Sequence, residues 1–197
     1  MNIQDIYRAH HIDRWQIVNV TRHQSLAEHS FNVAMIALEL NKRIGHEAFK
    51  DEYVSDLLLW SLYHDLPEIA TGDIASPLKA LIKAKDPELI ERVESAMSST
   101  YSKLKEKFKG SYAGAIVKLA DLIDGIRYLE LYKNPNCRHA RETELILISK
   151  LVDFASRLDK EMFSGIDSWF SGVTIVLHDI RDGRPTSIDS IMQGGDK

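Results

Sequence analysis

The sequence predicts an all-α protein, a single-domain helical bundle. Three observations carry that prediction. Apolar residues recur at three- and four-residue spacing along most of the chain, no alternating apolar–polar stretch of useful length occurs, and helix start and stop signals fall between the periodic segments. No internal repeat, low-complexity tract or interdomain linker interrupts residues 1–180, which read as one domain. Residues 181–197, from Arg181-Asp-Gly-Arg-Pro onward, read as a polar C-terminal tail.

The elements follow in order. Ser25 and Glu28 have the spacing of a capping box, and Phe31, Ala34, Ala37 and Leu38 continue a helix toward Ile44. A second helix, from about Asp51, carries Val54, Leu57, Leu58 and Leu62 and reaches Tyr63-His64-Asp65. Pro67 disfavours helical backbone at Leu66 and ends or resets it there. Thr71-Gly72-Asp73 marks a turn, and Ser76-Pro77 reads as an N-cap followed by a proline at the first helical position. Helices are expected over about 77–84 and 87–109, the latter ending in Lys103, Lys105, Lys107 and Lys109 before Gly110. Three more are expected over 112–133, 137–162 and 166–180.

Composition narrows the function. The chain has 197 residues, 44% of them hydrophobic and 27% charged, with a formal net charge of −4. That is too apolar and too weakly charged for disorder, and it supplies no basic footprint for a nucleic acid polymer. The single cysteine, Cys137, fits a reducing compartment. No apolar leader or membrane-length stretch is present, so a cytoplasmic setting without membrane association is expected. Eight histidines in a mildly acidic chain are the compositional oddity.

Three places put His or Asp beside apolar helical faces, where a charged group needs a partner or a metal. His29 opens the first long helix, His64-Asp65 ends the apolar run LLLWSLYHD, and Asp121 lies in IVKLADLID three residues after Lys118. Two imidazoles and two carboxylates from separate helices would make a mixed nitrogen–oxygen site suited to Mn, Fe, Co or Zn. Taken singly, each has an ordinary explanation: a capping histidine, a dipeptide, and half of a Lys118–Asp121 ion pair. A second His-Asp dipeptide, His178-Asp179, adjoins the polar tail and is assigned to the surface.

Taken together, these residues look like the H…HD…D signature of the HD-domain metal-dependent phosphohydrolases. Asp13-Arg14-Trp15, Ala27-Glu28-His29-Ser30, Tyr63-His64-Asp65-Leu66-Pro67-Glu68, Thr71-Gly72-Asp73, Pro77-Leu78-Lys79 and Val117-Lys118-Leu119-Ala120-Asp121 resemble the motif series of bacterial 5′-deoxynucleotidases and small phage-type dATP triphosphohydrolases. The resemblance covers about residues 10–130 and implies an HD-type bundle with a metal site in its core. It also implies that His29, His64, Asp65 and Asp121 hold a divalent metal (Mn, Co, Zn, Fe or Mg), and that Glu68 acts as general acid/base on the attacking water. Asp73 and Lys118 join Glu68 among the expected catalytic residues. Arg14, Trp15, Ile17, Asp73, Lys79, Lys83 and Lys118 would contact the nucleotide: Arg as a planar fork for oxygens, Trp as a face for the base, Asp73 through a sugar hydroxyl, the lysines through phosphate.

The expected reaction is hydrolysis of the 5′-phosphoester of a 2′-deoxynucleotide. Lys79 and Lys83, four residues apart, together with Lys118 offer more positive charge than one phosphate requires. The reading therefore leans to a triphosphohydrolase converting dATP to deoxyadenosine and triphosphate, with a deoxynucleoside 5′-monophosphatase as the alternative. An HD hydrolase of signalling nucleotides and a non-enzymatic helical module are weaker readings. Relatives of this kind also imply a homo-oligomer, dimer or larger, in the cytoplasm, or the host cell's cytoplasm if phage-encoded.

Overall fold

The computed structural model describes residues 3–44, 53–161 and 168–183. Helix α1 (Ile3–Ile6) and a 3-10 turn (Tyr7–His10) lead into an irregular loop, then α2 (Leu26–Ile44) and α3 (Val54–Tyr63). Four shorter helices follow: α4 (Glu68–Thr71), α5 (Ser76–Lys85), α6 (Leu89–Met97) and α7 (Ser99–Phe108). The long α8 (Tyr112–Tyr132), α9 (Arg138–Glu161) and α10 (Trp169–Asp182) complete the chain. Among the described residues there is no strand, only isolated bridges pairing Asp13 with Ser25 and Val20 with Lys133. The all-α prediction holds.

Helix α8 is the axis of the bundle. Ile116, Leu119, Ala120, Ile123, Ile126 and Leu129 lie within it and are fully buried. A helix apolar on nearly every side must be surrounded, and α2, α3 and α9 pack around this one. Val33, Ala37 and Leu40 of α2, Leu57 of α3 and Leu151, Ala155 and Leu158 of α9 enter the same core, closed at one end by Trp169.

Several local expectations need correction. The Ser25 hydroxyl does accept from the Glu28 amide at 3.1 Å, but the Glu28 carboxylate turns outward to Arg22 instead of closing a capping box. Ser76 is the first residue of α5, not its cap; Ala75 takes that place without a side-chain bond. The single helix expected over 87–109 is two, because Ser98 adopts extended backbone and caps α7 by accepting from the Tyr101 amide. A serine hydroxyl competes with the backbone for such bonds. The last helix runs to Asp182, two residues past the expected boundary of the tail. Gly45, His46, residues 162–167 and the tail beyond 183 lie outside the described residues.

Two backbone ties fix the loop over 11–25. Arg14 N–H donates to Gln24 O at 2.9 Å and Leu26 N–H to Ile12 O at 2.9 Å. Thr21 N–H then reaches Tyr132 O at 2.7 Å, fastening the loop to the end of α8. The loop also runs back along α8, with Trp15 beside Tyr128 and Gly125 and Arg14 3.9 Å from Asp121.

Candidate active site

His29 sits one turn into α2, fully buried. Its Nδ1 lies 2.7 Å from Asp124 Oδ2, and Asp124 also accepts from Asn32 and Gln24. A carboxylate that already takes two N–H donors is an acceptor, so the imidazole places its proton on Nδ1 and turns the Nε2 lone pair the other way. Around that Nε2 stand His64 Nε2 at 3.3 Å, Asp65 Oδ2 at 3.4 Å and Asp121 Oδ1 at 3.5 Å. His64 is held from behind by the same logic, its Nδ1 lying 2.8 Å from Ser61 O. Donor atoms about 2.1 Å from one ion stand roughly 3.0–3.4 Å apart at octahedral or tetrahedral angles. The observed separations have that size, and the donor atoms of His29, His64 and Asp121 all fall within 4.8 Å of one another. The donor set is therefore fit to hold a divalent cation, with Asp65 3.4 Å from the Nε2 of either histidine.

The electrostatics agree with that arrangement. Burial resists ionisation of Asp121, but Lys118 Nζ at 2.7 Å and the histidines hold its carboxyl well below the usual range. Burial likewise opposes the charge on Asp65, and His64, His29 and Arg14 outweigh it to keep the group ionised. His64 is pushed down, chiefly by burial, toward the neutral form a metal ligand needs. At His29 burial and Arg14 oppose protonation, while Asp124 and Asp65 push the ring up.

Glu68 does not lie on a continuation of α3, whose C-cap is His64. The chain leaves α3 at Tyr63, passes through tight turns in which the Leu66 amide bonds to Tyr63 O and the Glu68 amide to Asp65 O, and restarts after Pro67 as α4. The turns bury Glu68, whose Oε2 has no protein partner while Oε1 accepts from Lys79 Nζ at 3.0 Å. Burial first, then repulsion from Asp65, pushes its carboxyl up to about 7 despite Lys79. A carboxyl poised near neutrality beside a cation site can exchange protons at physiological pH.

A cleft of about 390 Å³ opens beside this cluster. Of the expected contacts it gathers Arg14, Trp15, Ile17, Asp73, Lys79 and Lys118. Lys83 is the exception: one turn further along α5 it is exposed and does not line the cleft. Arg14 Nε and Nη1 are buried without a hydrogen-bond partner, and its Nη2 is 3.9 Å from Asp121 Oδ1. A guanidinium with two unmatched donors calls for an anion or polar ligand. Trp15 has φ +69°, outside the range bulky residues prefer. Its ring lies nearly parallel to Tyr128 at 5.7 Å. Gly125 lies beside it: a Cβ there would touch the indole at an ordinary 3.5 Å and press on Leu147 at 3.2 Å.

Sequence reasoning missed several residues of this region. Asp124 lies three residues after Asp121 on the helix, a spacing that places it on the same side, and Gln24 gave no signal at all. His139, Thr143 and Lys150, on the face of α9 that closes the cleft, lie beyond the matched motifs and were unmarked.

With the geometry in place, comparison with known proteins decides the family. A family model described as 5′-deoxynucleotidase YfbR-like matches residues 3–136. The chain belongs to the YfbR-like family of HD-domain phosphohydrolases. It is 35% identical over 133 residues to a protein of Salmonella phage PMBT28 named dATP triphosphohydrolase, the match taking in 66% of each chain. A 5′-deoxynucleotidase of Erwinia tasmaniensis is 30% identical over 128 residues, 57% of this chain and 63% of that one. The cyanophage S-2L HD phosphohydrolase, solved with dA and one catalytic Zn2+ ion, shares the fold with a TM-score of 0.71 at 23% identity, covering 90% of this chain and 92% of that one. Helix α9 begins just beyond the part that matches the family, so one wall of the cleft is built from sequence the family model does not cover.

Proposed function

We propose that this protein hydrolyses the 5′-phosphoester of 2′-deoxynucleotides in a metal-dependent reaction, with dATP as the substrate and deoxyadenosine and triphosphate as products. The observation that carries the reading is the junction of two features: the donor cluster of His29, His64 and Asp121 with Asp65 at 3.4 Å from both imidazoles, and a cleft in which the buried Arg14 guanidinium keeps two nitrogens unmatched. His29, His64, Asp65 and Asp121 would hold the metal. When bound, such an ion supplies Lewis-acid charge to the phosphoryl group and acidifies water.

The protein's own groups provide the rest. Glu68, ionised near neutral pH, takes a proton from the water that attacks the α-phosphorus. The bond from phosphorus to the 5′-oxygen breaks, and that oxygen leaves as the nucleoside hydroxyl with the proton that Glu68 took from the water, which returns Glu68 to its ionised form. Arg14, Lys79 and Lys118 balance the charge that builds on the phosphoryl oxygens. Trp15 offers its indole to the base, Ile17 stands at the base edge, and Asp73 accepts from a sugar hydroxyl.

Three observations support the triphosphate over the monophosphate. Two relatives at 35% and 33% identity, both from phages, are named dATP triphosphohydrolase. Lys150 of α9 adds a cation to the cleft that the sequence reading did not count. A second cavity of about 580 Å³ adjoins Asp65 and Asp121 and shares Lys118; Lys105 and Lys109 line it together with Glu91 and Glu106, and Lys105 is paired with Glu94, so it offers a polyphosphate room to extend more than added positive charge. One observation favours a deoxynucleoside 5′-monophosphatase instead: Lys83 is outside the cleft and Lys79 is paired with Glu68, which lowers the free positive charge. Incubation of the purified protein with dATP, dADP, dAMP and the ribonucleotides under Mn, Co, Zn and Mg, with product identification, separates the readings. Triphosphate released from dATP supports the first; phosphate released from dAMP alone supports the second.

A further inference from the structure

Between the cleft and the metal cluster runs a chain of hydrogen bonds with a fixed direction. Trp15 Nε1–H donates to Gln24 Oε1 at 3.2 Å, and Gln24 Nε2–H donates to Asp124 Oδ2 at 2.8 Å. The same Asp124 oxygen is 2.7 Å from His29 Nδ1, and Asn32 occupies the other oxygen at 2.9 Å. Gln24 is completely buried and Asp124 nearly so. An indole only donates and a carboxylate only accepts, so the residue between them must do both at once. An amide with the reach of Gln does this. Leu offers neither bond, and Glu would set one carboxylate against another. Gln24 also grips the same dipeptide through its backbone, because its carbonyl accepts from the Arg14 amide at 2.9 Å. One buried residue thus holds the guanidinium-bearing residue, the strained tryptophan and the carboxylate behind a metal-ligating histidine.

We propose that Gln24 is a positioning residue that couples the Trp15 wall of the cleft to the metal cluster through Asp124 and His29, so that seating a nucleobase and binding the metal reinforce each other. The inference rests on the reading of the cleft as a deoxynucleoside site and adds to it a linkage between its two halves. A base pressed on the indole steadies the ring, the ring steadies Gln24, and Gln24 fixes the Asp124 oxygen that orients His29. Linkage of this kind is reciprocal, so the metal must tighten nucleoside binding by the factor by which nucleoside tightens the metal.

The test measures the Zn2+ Kd by competition with a chromophoric chelator, with and without saturating deoxyadenosine, for the wild type and Gln24→Leu. Circular dichroism checks the fold. Partners that orient metal ligands are worth about 10–100-fold in metal affinity, and Gln24 acts one step further out, so a loss near tenfold is expected. In the wild type deoxyadenosine should tighten Zn2+ by about fivefold or more, and in Gln24→Leu that enhancement should vanish. A folded Gln24→Leu protein with the wild-type Zn2+ Kd and the wild-type enhancement overturns the proposal, since a merely structural glutamine would lower stability and leave both untouched. If the wild type binds Zn2+ but no deoxyadenosine, the deoxynucleoside reading fails, and the Zn2+ Kd of Gln24→Leu still decides whether Gln24 positions His29. Should Gln24→Leu not fold, Trp15→Phe keeps an aromatic face and deletes only the N–H. It should lose the enhancement, and full retention of it overturns the coupling.

Discussion

The dipeptide His-Asp occurs twice in this chain, and the two copies have opposite fates. His64-Asp65 meets His29 and Asp121 from other helices, with both side chains less than a quarter exposed. His178-Asp179 lies on the outer face of α10, its side chains 71% and 50% exposed, with His178 3.3 Å from Asp182 and Asp179 3.1 Å from Arg43. The dipeptide carries no chemistry by itself. What separates the copies is a third and fourth donor from distant sequence, and enough burial that the charges must satisfy one another. On α10 water does that work, and the pair stays an ordinary surface feature.

The sharpest way to break this contrast is to remove each copy in turn. His64→Ala or Asp65→Ala should reduce nucleotide hydrolysis to the background of metal-stripped protein and lower the metal bound per chain, read by atomic absorption, while the helical circular dichroism persists. His178→Ala should leave both unchanged. Full activity in His64→Ala would remove the metal assignment, and loss of activity in His178→Ala would erase the distinction between the copies.

How much of this was readable beforehand divides along the same line. The bundle was legible because a helix buried on most sides declares itself in apolar content, as α8 does, and because Ser25 marks a helix start chemically. The four donors were legible because their spacing and neighbours resemble a family pattern. Ser98 was not, since a serine inside an apolar-periodic segment reads equally as a helical residue or a cap. Asp124 and Gln24 were not, because neither lines the cleft; their place is fixed only when α2, α8 and the loop over 11–25 come together. The misplacement of Lys83 has the converse cause. Spacing of i, i+4 puts two lysines on one side of a helix, but α5 is short and only its first turn reaches the cleft.

Glu68 tests the buried end more finely. Its Gln variant should lose about 10²–10⁴-fold in kcat, the usual worth of a positioned general base. The wild-type rate should fall as pH drops through about 7 or somewhat lower, because the ionised form is active and a bound cation favours that form. Stability has the opposite sign. A carboxyl raised in the folded state holds its proton longer than in the unfolded chain, so this group's contribution is complete below the ordinary glutamate range and declines as pH rises toward about 7. A Glu68→Gln enzyme with an unchanged acid limb would assign that limb to another group.

Trp15 should show a smaller effect, on binding more than on chemistry. Stacking of a base on an aromatic side chain is worth about 1–3 kcal/mol, so Trp15→Ala should raise KM by roughly five- to a hundredfold while kcat falls less. The outcome separates the wall from the metal cluster, since loss of a direct metal ligand acts on kcat first. An unchanged KM would take Trp15 out of the cleft's function and leave its positive φ without a purpose.

The smallest effect belongs to the exposed copy. Asp179 pairs with Arg43 at 3.1 Å, but Arg43 keeps Glu39 at 2.9 Å whether or not Asp179 is present, and all these groups reach water. Asp179→Ala should therefore change unfolding stability by no more than about 0.5 kcal/mol, the ordinary range for a surface substitution. High salt should shrink the difference further, because exposed charges are screened within about 10 Å at 0.1 M ionic strength. Denaturant melts at low and high salt check this. A loss several times larger that survives salt would mean that α10 is fastened to α2 through this pair, and the second His-Asp dipeptide would then have a structural role that its exposure denies.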